Sequence, residues 1–146
     1  MRAATGIEWV AGVALPDLAV APVSRTTLAK YAGASGDYNP MHVDIDAARA
    51  AGAADVFAHG MLSMAYLGRL LTRWFPQRDL RSLRVRFRAI TPVHARPVCS
   101  GRVAAIEDGP ERLARVELSV AVQDGTVTVA GEALVAVPAG ERAVVR

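Results

Sequence analysis

A chain of 146 residues, 52% apolar and 21% charged, is sized for one domain with a real hydrophobic core and is too apolar to be disordered. Its one cysteine, Cys99, excludes an internal disulfide framework and any cysteine-based zinc cluster. The net charge is only +3, its arginines are spread along the chain and aromatics make up 5%, so the basic stripe with interleaved aromatics of a nucleic-acid binder is missing. Guanidinium groups do suit a phosphate-bearing small ligand or an acidic carrier protein.

Residues 7 to 23 are apolar but broken by Gly12 and Pro16, and read as one or two short strands. Ser24 or Thr26 caps a helix running through Leu28 and Tyr31 to Gly33. Residues 34 to 44 are loop chemistry, because Gly36, Asn39 and Pro40 fall close together and Asn39 precedes a proline. Asp46 is the expected cap of a short Ala-rich helix ended by Gly52. Residues 60 to 75 then make about four helical turns, stopped by Pro76. Their apolar side chains nearly surround the axis, which implies a buried helix whose far end emerges at Arg69 and Arg73. Met61 and Met64 are expected in the core or in an apolar wall beside a ligand.

Beyond Pro76 the pattern is that of strands. Residues 84 to 88 alternate Arg with apolar side chains, putting Arg84, Arg86 and Arg88 on one face. Residues 98–106, 112–123 and 126–137 are three more strands, joined at Asp108-Gly109-Pro110 and at the hairpin signal Asp124-Gly125. A long buried helix followed by antiparallel strands gives an α+β class, with a curved antiparallel sheet wrapped on the helix. No repeat or linker divides the chain, so residues 1–146 read as a single domain. No apolar run reaches membrane-spanning length, and Glu8 sits where residues 1–10 would need a signal-peptide core, so a cytoplasmic protein with no membrane partner is expected.

The chemistry is concentrated in two blocks. Ala34-Ser35-Gly36-Asp37-Tyr38-Asn39-Pro40-Met41-His42 sets a carboxylate and an imidazole five positions apart across a turn that Pro40 stiffens. Seventeen residues on, His59-Gly60-Met61-Leu62 opens the buried helix. A carboxylate tunes and orients a neighbouring imidazole near neutral pH, and a Gly amide at a helix start polarises a carbonyl that approaches it closely. Asn39 has no proton to exchange and only orients. His59 reads as a capping or packing residue, and Ser63, on the first turn, either faces the site or packs. Asp44 and Asp46 beside His42 are too thin a set for a metal, so neither metal nor cofactor is expected. Arg84, Arg86 and Arg88 read as a solvated face, with contact to a ligand's phosphates or an acidic carrier as the alternative.

These two blocks, S-G-D-x-N-P-x-H followed by H-G-M, resemble the MaoC-like (R)-specific enoyl-CoA hydratase and (3R)-hydroxyacyl-ACP dehydratase family. Leu28 to Asp37 and Val85-Arg86-Phe87 look most like the catalytic subunit of its actinobacterial dehydratases. The resemblance implies a hot-dog fold and reversible hydration of trans-2-enoyl thioesters of coenzyme A or acyl carrier protein. It also implies Asp37 and His42 as the dyad that handles water, Asn39 as the brace of their loop, and the Gly60 amide as the donor to the thioester carbonyl. Family members pair two domains, so a homodimer or a heterodimer with a related hot-dog subunit is expected, with the strand at 126–137 and the residues after Gly60 as candidate interface and tunnel wall. The alternatives are a hot-dog thioesterase, which does not need His42, and a non-catalytic partner subunit, which needs neither member of the dyad.

Overall fold

Eight principal elements follow one another in the computed structural model, which describes residues 9–138: β1 (Ala14–Ala19), α1 (Arg25–Ser35), α2 (Ile45–Ala50), α3 (Gly60–Trp74), β2 (Leu80–Phe87), β3 (Val98–Glu107), β4 (Leu113–Ala121) and β5 (Val127–Ala136). Short 3-10 turns at Pro40–His42 and Gln77–Asp79 complete the set. The strands form one antiparallel sheet in the order β1-β3-β4-β5-β2, and α3 packs against β1, β2, β3 and β4. This is the α+β arrangement of a sheet on a long helix that the pattern implies. The expectation about residues 1–10 falls almost wholly outside the described residues.

The core is built from the inward positions of the strands and one side of α3. Alternation along β4 buries Ala114, Val116, Leu118 and Val120. From the helix, Leu67, Leu70 and Leu71 are completely buried, each contributing about 2 kcal/mol over an exposed leucine. Arg102, Arg115, Glu107, Glu117 and Glu132 pair with one another on the opposite, solvated face. Pro16, which donates no backbone hydrogen bond, sits on β1 at a sheet edge, where that loss is tolerated.

Several local expectations need correction. α1 is capped by Ser24, whose Oγ accepts the Thr27 N–H at 3.0 Å, but it runs past Gly33 to Ser35. It stops at Gly36 because that residue, at φ 74°, supplies the left-handed turn that a helix C-terminus uses. Asp44, rather than Asp46, caps α2, with its carboxylate accepting the N–H groups of Asp46 at 2.9 Å and Ala47 at 3.2 Å. α3 is amphipathic rather than buried all round: Leu62, Ser63, Tyr66, Leu67, Leu70 and Leu71 are covered, whereas Met61 is 53% exposed and Met64 is only half-buried. The Val-rich strand at 126–137 is the one named as candidate interface and tunnel wall. As β5 it lies between β4 and β2, so β2 is the strand on that side with an open backbone edge.

Candidate active site

The loop that leaves α1 is folded by its own side chains. Ser35 Oγ donates to the Tyr31 carbonyl at 2.7 Å and accepts the Asp37 N–H at 3.2 Å. Asp37 Oδ1 accepts the Asn39 N–H at 3.2 Å, and Asn39 Oδ1 accepts the Met41 N–H at 3.1 Å. These successive Asx-type bonds bend the chain into the 3-10 turn that Pro40 begins and His42 ends. The Asn39 side chain thus caps the turn between Asp37 and His42.

His42 is 9% exposed, and its Nδ1–H donates to the Phe57 carbonyl at 2.8 Å. That bond assigns the tautomer and leaves Nε2 as a lone pair. The Phe57 ring stands edge-on to the imidazole, with centroids 5.1 Å apart. The segment carrying Phe57 is itself held by the Ala58 N–H, which donates to the Thr91 carbonyl at 2.9 Å, and by a bridge between Phe57 and Pro92.

Asp37, on the exposed loop, is brought to the same place: Asp37, His42 and His59 each present a potential ligand atom, all within 4.8 Å of one another. Two imidazoles and a carboxylate at this spacing could hold a transition metal, a different set from the Asp44 and Asp46 that the sequence brings forward. Asp44 is occupied with its helix cap.

His59 does not cap α3; its side chain makes no capping bond. It is 1% exposed, and its Nε2–H donates to the Asp37 backbone carbonyl at 3.0 Å. Burial holds its pKa below the usual histidine value, the neighbouring His42 adds to this, and the Asp37 carbonyl and carboxylate oppose it.

A cavity of about 310 Å³ opens beside these groups, lined among others by His42, Gly60, Ser63, Phe87, Ile90 and Thr91. Gly60 begins α3, so its amide belongs to the first turn, where no intrahelical acceptor exists. Ser63 and Thr91, both buried, share a hydroxyl–hydroxyl hydrogen bond of 3.2 Å in the cavity wall. Arg84, Arg86 and Arg88 all border a separate depression on the solvated face beside Glu117 and Glu132, and of the three Arg88 also lines this cavity. Cys99 lies elsewhere in the core; burial pushes its thiol up to about 12, far from a usable thiolate. Larger, a depression of about 540 Å³ crosses the sheet face away from α3, but the dyad and the α3 amide are remote from its lining of mainly small residues such as Ser100, Ser119 and Ala130. Among the described residues, no helix is long and apolar enough to cross a membrane.

Thr91, Phe87 and Ile90 escape the sequence reading as site residues. Thr91 stands 28 positions from Ser63, and Phe87 is brought beside Gly60 of α3 by strand order and not by proximity in sequence. No local signal marks either contact.

Residues 15–131 match the family described as "MaoC like domain". The mitochondrial 3-hydroxyacyl-[acyl-carrier-protein] dehydratase of Arabidopsis thaliana is 35% identical over 83 residues, 57% of this chain and 49% of that protein. Among solved structures, R-hydratase PhaJ1 from Pseudomonas aeruginosa superposes with a TM-score of 0.74 at 26% identity, over 88% of this chain and 81% of that one. The ChsH1–ChsH2 complex from Mycobacterium tuberculosis contains a chain with TM-score 0.77 at 24% identity, covering 88% of this chain and 98% of that one, which supports the fold. This chain spans about half or less of the length of the curated relatives it matches. With its sheet-on-helix architecture and its two motif blocks at one cavity, the chain is a hot-dog protein and belongs to the MaoC-like domain family.

Proposed function

We propose that this chain is a hydro-lyase that reversibly adds water to a trans-2-enoyl thioester, giving the (3R)-hydroxyacyl thioester. The observation that supports the reading is that His42 and the first residue of α3, Gly60, line one cavity, with a carboxylate oxygen of Asp37 within 4.8 Å of a His42 ring nitrogen. Water held between the Asp37 carboxylate and His42 Nε2 loses a proton to this dyad as its oxygen bonds to the β-carbon. Electron density moves onto the thioester oxygen, where the Gly60 N–H and the positive end of α3 stabilise it. The enolate collapses as the α-carbon takes a proton back from the dyad, so one water is added and the dyad is regenerated. Dehydration runs through the same steps in reverse.

The carrier is coenzyme A or an acyl carrier protein. Arg88 at the cavity mouth is the cation best placed for a phosphate of either, while Arg84 and Arg86 fit the solvated-face reading. We also propose that a second hot-dog subunit, identical or related, covers β2. That strand is a sheet edge, and beside it Phe87 is 54% and Ile90 57% exposed although both line the cavity. Light scattering on active protein is expected to give a dimer, and an active monomer at micromolar concentration would reject this part.

The reaction itself is tested with crotonyl-CoA and a longer trans-2-enoyl-CoA. Loss of enoyl-thioester absorbance with no release of free thiol is expected. Thiol release without hydration would identify a thioesterase, and no turnover of either substrate would identify a non-catalytic subunit.

A further inference from the structure

His59 touches every element that the proposed chemistry uses. Its ring lies over that of His42, with centroids 4.0 Å apart and planes tilted by 32°. On another side the Tyr31 ring of α1 meets it edge-on at 5.0 Å. Its Nε2–H is committed to the Asp37 backbone carbonyl, and in sequence it immediately precedes Gly60. Its Nδ1 is buried with no hydrogen-bond partner. A buried polar atom without a partner is costly, so the ring is held here despite that cost.

Around Asp37 itself the exposed loop makes its own short-range turn bonds, and farther along it is tied to the body at Met41 and His42, which bond to Phe57. Turn bonds alone shape a loop without fixing where it sits on the body of the protein. The His59 bond, across 22 positions, ties Asp37 to the start of α3. The stacked face, in turn, limits rotation of the His42 ring about the one bond it makes to Phe57.

We infer that His59 is a positioning residue, a buried imidazole that locks the separation of Asp37, His42 and the Gly60 amide. The inference rests on the hydration reading and assigns to this side chain a role separate from proton transfer. The titratable groups facing the ring are Tyr31 from α1, Asp37 from the loop and His42 from the 3-10 turn.

Two measurements test it. Long-range proton–nitrogen NMR on the wild-type protein resolves the chain's three histidines. His59 is expected as the Nε2–H tautomer, with that proton hydrogen-bonded to the Asp37 carbonyl. An Nδ1–H tautomer would overturn the inference, and this readout needs neither a variant nor activity. In the second, kinetics of His59→Leu and His59→Gln are compared. Leucine removes both the donor and the imidazole, whereas the glutamine amide still reaches the Asp37 carbonyl. His59→Leu is expected to lower kcat by ~10–100-fold with KM little changed, the scale of a small misplacement of catalytic groups. His59→Gln is expected to recover most of that loss. A folded leucine variant with wild-type kcat, or glutamine no better than leucine, would overturn the inference. Wild-type turnover in Asp37 and His42 variants would instead remove the hydration reading while leaving the NMR result interpretable.

Discussion

The ring of Phe87 occupies the space into which any side chain at residue 60 would grow: a Cβ built on Gly60 meets ring carbons at 3.0 to 3.2 Å. Glycine at this position therefore answers to an aromatic ring from β2 as well as to the approach of a substrate carbonyl. Because Phe87 is 54% exposed, its ring has room to yield, and the fold should survive a larger residue.

Gly60→Val is accordingly expected to keep its circular-dichroism spectrum while losing at least ~10-fold in turnover, the order of effect for a displaced reacting group. Adding Phe87→Ala separates the two causes. Turnover that stays low in the double variant places the obstruction on the carbonyl's path, and full recovery would assign it to the displaced ring.

Gly131 faces a stricter demand. A Cβ there would lie 2.1 Å from the Arg84 carbonyl oxygen and 2.8 Å from the Val85 Cα, both backbone atoms of β2. Backbone in a paired strand cannot swing aside as a ring can. Gly131→Ala is expected to cost at least ~2 kcal/mol in denaturant unfolding and to loosen β2 from β5. Wild-type stability in this variant would show that the strands are further apart than described.

Stability should also depend on pH through His59. Burial lowers its folded-state pKa below the ordinary histidine value of about 6.5, so between the two values the unfolded chain binds more protons than the folded one. Stability therefore rises with pH across that window, and is lost as pH falls below about 6.5. Thermal unfolding of His59→Gln against wild type checks this: the variant should have a flatter pH dependence there, and parallel curves would contradict it.

Much of this architecture was legible because local rules decide it. Ser24, the Asp124-Gly125 hairpin and the stop at Pro76 act on residues beside them, and each sits where its chemistry demands. Where two local signals competed, order along the chain was not enough: Asp44 and Asp46 are both cap formers, and the 3-10 turn before them places Asp44 at the helix start. Asp37 lies near His42, and His42 lines one cavity with Gly60, so the two motif blocks share a neighbourhood. The cavity's other wall was not legible, because Phe87, Ile90 and Thr91 arrive through strand order and a long-range bridge that no spacing encodes. His59 was visible as a residue beside a helix start but not as an anchor, since its partner carbonyl lies 22 positions away.

Rates of crotonyl-CoA hydration by Asp37→Asn and His42→Ala bear on the whole scheme. Both side chains sit on a loop near the surface of the core, so folded variants are expected, with unchanged circular dichroism. Each substitution should lower kcat/KM by at least ~100-fold, the usual scale for loss of a general base. Folded variants that hydrate the substrate at near-wild-type rates would contradict the assignment of this dyad.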